Sequence, residues 1–215
     1  MDEPRILFAG LAALAVLVPI GFAIRSYTTA GLTIRLFLFF MVIGLATDLT
    51  MWFLIYHQSY DYLLSIFNAY SLVDAMFCFW FIQRVTAPSP LKKIARIFLW
   101  ITFPLWLASI LVKTPITIPF DTIYEIAVAF LSGFLLLKIA ESEGSVAGNP
   151  FFWLLLGIFF YCFSTFFLMM LLGTEISQKV WWLNNVINVL TYVLFAVGLS
   201  KAPGYLSSRT GDPVF

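Results

Sequence analysis

Seven apolar runs, each about long enough to cross a lipid bilayer, dominate this sequence. They are Ile6–Ile24, Ile34–Tyr56, Tyr62–Ile82, Ile94–Val112, Ile118–Ile139, Phe151–Gly173 and Val180–Leu199. A spanning helix needs about 20 mostly apolar residues, because each residue rises about 1.5 Å through a hydrocarbon core near 30 Å thick. The runs are too long for strands and lack two-residue alternation, which leaves helices as the way to satisfy the backbone in lipid. Composition points the same way. Of the 215 residues 62% are hydrophobic and only 11% are charged, against about 25% charged in an average soluble domain. A soluble domain of this length would have to wear much of that apolar surface on its outside. The expected fold class is all-α, a polytopic seven-transmembrane-helix bundle. Residues 1–201 form its single domain and 202–215 a short cytoplasmic tail.

Turn chemistry separates the runs. Thr28-Thr29-Ala30-Gly31, Pro88-Ser89-Pro90, Thr114-Pro115 and Gly148-Asn149-Pro150 all interrupt helix. The last fits a helix start, with Asn149 as cap and Pro150 in the first turn. Pro19 and Pro104 are candidate kinks within the first and fourth spans. Basic residues then orient the spans. Arg25, Arg35, Arg84, Lys92, Lys93, Arg96, Lys138, Lys201 and Arg209 fall on one side, and Arg5, Lys113 and Lys179 on the other. That bias predicts an N-terminus outside and a C-terminus in the cytoplasm. The first run follows Asp2, Glu3 and Arg5 and lacks a small-residue cleavage site, so it reads as a retained helix rather than a secretory leader. The expected location is a bacterial inner membrane.

Polar residues inside the spans carry the functional argument. An ionisable group there costs roughly 2.5–3.5 kcal/mol on insertion scales and faces protein or water. Asp48, Asp74 and Glu125 lie inside three different spans, and no Lys or Arg lies at comparable depth. Helical spacing places Asp121, Glu125 and Ser132 on one face, and Ser71, Asp74 and Cys78 on another. Tyr161 stands with Ser164 and Thr165. Asn184, Asn188 and Thr191 form a stripe flanked by Asn185 and Tyr192. Asp48, Asp74, Glu125, Tyr161, Asn185 and Asn188 are the expected lining of an outward-facing ligand pocket. The competing reading is a polar network that holds helices together. The two cysteines, Cys78 and Cys162, read as small core residues without a disulfide, and His57 as a solvated side chain at a helix mouth. Trp52, Trp106, Trp181 and Trp182 read as an interfacial aromatic belt.

The inventory excludes several chemistries. A single histidine rules out two-His haem ligation and a three-His zinc centre. The last span carries no Lys to hold retinal. There is no phosphate-binding loop, HExxH or GxGxxG pattern. No catalytic residue, metal ligand or cofactor is expected. Three alternatives to a sensor or ligand-binding protein remain open. One is a small secondary transporter for a cation or amine. Another is an intramembrane lipid hydrolase in which Asp48 and Asp74 share a proton. A membrane subunit of a larger complex is the third. The expected partners are membrane lipid, a small cation, amine or lipid ligand, and a cytoplasmic signalling protein or a second copy. Nucleic acid is not among them, since the net charge is only +1.

Two resemblances bear on this. Gly44-Leu45 followed by Asp48 is similar to the lysoplasmalogenase-like membrane proteins, whose members carry intramembrane Asp residues. The stretch after Asp48 departs from that pattern, and this chain has one helix fewer. Asn68 then Asp74 ahead of an aromatic stretch, the Asp121–Glu125 helix, and Trp182 with Asn185 and Asn188 resemble small uncharacterised seven-helix proteins of Bacteroidota-type bacteria. That likeness implies a seven-helix bundle akin to the membrane-sensor halves of signalling proteins.

Overall fold

In a computed structural model, residues 3–28, 31–111, 118–142, 146–171, 174, 176, 180 and 182–207 are described. Lys113, Lys179, Trp181, Arg209 and the turn at Thr114-Pro115 lie outside them. Eight α-helices organise the described chain. They are α1 (Glu3–Leu14), α2 (Leu17–Arg25), α3 (Leu32–Tyr56), α4 (Leu63–Val85), α5 (Pro90–Leu111), α6 (Ile118–Ser142), α7 (Pro150–Met170) and α8 (Trp182–Ser207). The pair α1–α2 makes one span, and seven helices are long and apolar enough to cross a membrane.

Local chemistry explains the ends and breaks. The first span is not one continuous helix, because Pro19 has no N–H to offer the carbonyl of Ala15. That carbonyl instead accepts from Val18 N at 3.2 Å, a tighter three-residue bond, and the chain turns between α1 and α2. Pro104, by contrast, leaves α5 continuous. Asn149 caps α7 as its spacing predicts, its Oδ1 accepting from Phe151 N at 2.9 Å with Pro150 in the first turn. Helix α3 closes with Ser59 N bonded to Leu54 O at 2.8 Å and Gln58 N to Ile55 O at 3.1 Å. This is a Schellman close, and Gln58 occupies its left-handed position at φ 56°. The last helix does not stop at Leu199 but runs to Ser207. Ala202 is buried there, and Tyr205 meets Phe151 edge-on at 6.3 Å. The segment assigned to a tail therefore begins as helix packed on α7.

Consecutive spans pack as neighbours. The most extensive interfaces are α6–α7 and α7–α8, followed by α4–α5. Helix α8 returns to pack on α1 and α2, which in turn pack on α3, so the bundle closes on itself. Helix α4 contacts α3, α5, α6 and α7. Small residues permit the closest approach, as is usual between membrane helices. A Cβ at Gly198 would come within 2.9 Å of Pro150 O, and one at Gly157 within 2.5 Å of the Phe195 ring. Outward-facing Phe39, Trp100, Phe130, Phe134 and Leu137 are more than half exposed, as lipid-facing side chains are.

The bundle interior has two zones. Near the end where α3 and α7 begin and α4, α6 and α8 finish, aromatic and aliphatic side chains dominate it, and the polar residues buried there, Ser26, Thr33, Thr86 and Asn149, are uncharged. Phe37 is fully buried there, edge-on to Phe81 at 5.3 Å and to Phe195 at 4.9 Å, beside buried Phe151, Leu154 and Leu199. Toward the opposite end the interior becomes polar.

Candidate functional site

The polar zone draws on five helices. At 1.5 Å of rise per residue, Asp48, Asp74, Glu125, Tyr161 and Tyr192 all lie roughly 10–16 Å from the same end of the bundle. Three of the six expected pocket residues, Asp74, Glu125 and Tyr161, converge closely. Asp74 is 4% exposed and accepts from the Tyr124 hydroxyl at 2.8 Å on Oδ2. Its Oδ1 faces Cys78 Sγ at 3.9 Å, one turn along α4. Glu125, the residue after Tyr124, is 2% exposed and lies near Thr165 of α7, whose hydroxyl donates to Tyr161 O at 2.8 Å. Its Oε2 is buried and has no hydrogen-bond partner. Tyr161 lies on α7 within electrostatic reach of both Asp74 and Glu125.

Asp48 occupies the near side of the same zone. It is half-buried, and Tyr192 of α8 donates to its Oδ2 at 3.4 Å. Tyr70 of α4 lies within electrostatic reach of both Asp48 and Asp74. Gly44, one turn before Asp48, makes room for it, since a Cβ at that position would sit 3.1 Å from the Tyr70 hydroxyl. Asn185 and Asn188 are half-buried on α8, two turns and one turn before Tyr192. They stand on the approach to the zone from the nearer bundle end.

Sequence spacing underweighted several members. Asp121, one turn before Glu125, is 2% exposed. Its carboxyl lies near Ser71 of α4, and its Oδ1 has no hydrogen-bond partner. Tyr124 and Tyr192 donate to Asp74 and Asp48, and Tyr70 lies within electrostatic reach of both acids. The available clue was position: these tyrosines sit well inside spans, away from the interfacial depth that tyrosine favours. Cys78 and Cys162 are both free and buried, and their thiols touch across α4 and α7. Ser132, expected on the acidic stripe, turns its hydroxyl back to Val128 O at 2.6 Å and serves its own helix.

The electrostatics are one-sided. Among the described residues, the charged and titratable groups around Asp48, Asp74, Asp121 and Glu125 are other acids, tyrosines and cysteines, with no basic side chain. An anion in a dry interior requires a counter-charge, a proton or a donor-rich shell. Here the shell consists of hydroxyls. No three His, Cys, Asp or Glu side chains among the described residues group closely enough to hold one metal ion. Of the expected interfacial tryptophans, Trp106 ties α5 to α4, its Nε1 donating to Asn68 O at 2.8 Å, and Trp52 lies over Gly10. His57 is exposed at the end of α3, as expected, against the Phe53 ring at 4.3 Å.

The fold and this interior define a seven-helix integral membrane protein. No family model, curated protein or solved structure matches the chain.

Proposed function

We propose that this protein is an integral membrane sensor or ligand-binding protein that takes a small organic cation, an amine above all, at the acid–tyrosine zone. The observation that carries the proposal is the zoned interior. Four carboxylic side chains and four tyrosines gather in one half of the bundle, two carboxylate oxygens there have no partner, and an aromatic plug fills the other half. An ammonium group supplies the donors and the charge that Asp121 and Glu125 lack, while tyrosine rings favour a cation at their faces. The plug favours a dead-end site over a path through the membrane, and hence sensing over transport. Separate tyrosine partners for Asp48 and Asp74 favour binding over a shared-proton hydrolase. The zone opens outward, following the bias of basic residues, in a bacterial inner membrane. The resemblance to seven-helix sensor proteins belongs to the same proposal, with a cytoplasmic partner reading the occupied state.

Thermal unfolding of the detergent-purified protein against choline, spermidine and a series of primary amines tests this. A ligand at about 100 times its Kd stabilises by about 2.7 kcal/mol. For a chain of this size that shift is several degrees, at about 2–4 °C per kcal/mol. At least one amine raises the midpoint of the wild type, and Glu125→Gln and Asp121→Asn abolish the shift. If no amine stabilises the wild type, or the variants respond equally, the acids are structural. Amine flux in proteoliposomes would select the transporter instead.

A further inference from the structure

An apolar groove of about 440 Å³ lies between α3, α4 and α5, running from the depth of Val73, beside Asp74 in the chain, toward the bundle end opposite the acids. Its size falls within the range of about 300–1,000 Å³ typical of small-molecule sites. Helix α4 forms the floor through Val73, Phe77 and Trp80. Phe39 and Phe40 of α3 form one wall, and Trp100 of α5 the other. Phe40 and Phe77 stack face to face at 4.0 Å, which fixes the floor against the first wall. Phe39 and Trp100 stand outward, 63% and 77% exposed, so the groove opens sideways toward lipid tails.

An apolar groove in a bilayer has no preference among tails by itself. The charge at its end supplies one. Every helix that lines the groove places an arginine one turn beyond an aromatic lining residue, at the same bundle end. Arg35 precedes Phe39, Arg96 precedes Trp100, and Arg84 follows Trp80, each at a spacing of four. Residues four apart share a helix face, so each arginine stands above its own wall or floor. Arg35 and Arg96 are exposed. Arg35 is held in place by Nε donation to Tyr27 O at 3.2 Å and by its position over the Tyr27 ring at 5.1 Å. Lys93, exposed one turn before Arg96, adds a further charge on α5.

We propose that this groove is a binding site for an anionic phospholipid. One acyl chain lies along Phe77 and Trp80, between Phe39 and Trp100, and the phosphodiester is bound by Arg35 and Arg96. Guanidinium groups suit the phosphate geometry, and basic clusters at the end of an apolar site are how membrane proteins select anionic headgroups. The site is independent of the acid–tyrosine zone, and its success or failure leaves the amine proposal untouched.

Native mass spectrometry of the full chain, released from detergent with dioleoyl phosphatidylglycerol or dioleoyl phosphatidylcholine, tests the assignment. The wild type retains phosphatidylglycerol about tenfold more than phosphatidylcholine. The double variant Arg35→Gln/Arg96→Gln lowers phosphatidylglycerol to the phosphatidylcholine level. Val73→Trp, which fills the floor, loses both lipids, and Lys201→Gln on α8 changes nothing. Arg35→Lys/Arg96→Lys keeps part of the preference and shows that the glutamine variants fail through charge rather than folding. Equal retention of the two lipids by the wild type, or an unchanged preference in the double glutamine variant, overturns the proposal. So does displacement of phosphatidylglycerol by millimolar glycerol phosphate, which would mark a site for the phosphate alone. A lipid-free dimer whose interface protects the groove would assign it to a second copy.

Discussion

Asp74 concentrates the energetics of the polar zone in one side chain. Its Oδ2 is buried and accepts from a single tyrosine hydroxyl at 2.8 Å. Tyr124→Phe keeps the ring and removes only the donor. Leaving a buried acceptor unpaired costs about 1–3 kcal/mol, more than the average of about 0.6 kcal/mol for a polar pair between membrane helices. Reversible unfolding in mixed micelles should therefore show Tyr124→Phe destabilised by about 1–2 kcal/mol. An unchanged unfolding free energy would mean that water or another hydroxyl replaces Tyr124. At this scale the acids were legible, because a carboxyl group in an apolar run stands out. Their tyrosine partners were not. Tyr124 lies 50 residues from Asp74 and Tyr192 lies 144 from Asp48, and tyrosine inside a span reads as one more aromatic ring.

Helix limits were largely legible, since they follow from turn residues and apolar length. Asn149 and Pro150 start α7 where the pattern puts them. Pro19 marked a disturbance in the first span, but not that Ala15 O would find Val18 N and divide the span into α1 and α2. The extension of α8 to Ser207 was missed because polar Ser200 and Lys201 end the apolar run, whereas Ala202 and Tyr205 pack on the neighbouring helix. The interface most sensitive to a single added methyl is α7–α8. At Gly198 the obstacle is backbone, Pro150 O at 2.9 Å, with Leu154 at 3.1 Å. Gly198→Ala forces the two helices apart or strains them, and overpacking of this kind costs about 1–3 kcal/mol. Gly204→Ala, on the same helix with nothing within 4 Å of the added carbon, is the control. The first variant should unfold at a clearly lower temperature than the second, and equal midpoints would show that α8 shifts freely against α7.

For the whole molecule, seven spans were legible from hydropathy, whereas the neighbour relations across the bundle were not. Nothing in the residue order announces that α8 closes onto α1 and α2, or that α4 meets α7. Those contacts decide that the polar faces of α3, α4, α6, α7 and α8 share one half of the interior. Orientation decides which side of the membrane that half serves. The bias of basic residues predicts that the α3–α4 connection lies outside and the α4–α5 connection inside. A membrane-impermeant maleimide applied to intact cells should label Ser59→Cys, and should reach Ala87→Cys only after permeabilisation. The reverse pattern would turn the acid–tyrosine zone toward the cytoplasm.

The chain contains two cysteines, and both are sealed in the dry interior where α4 meets α7. Its entire outer surface, facing lipid and water alike, is consequently free of native sulfhydryl groups. A thiol introduced on the water-facing part of that surface is the one a water-borne reagent encounters, so probes and crosslinkers can be directed to single positions without first replacing Cys78 or Cys162.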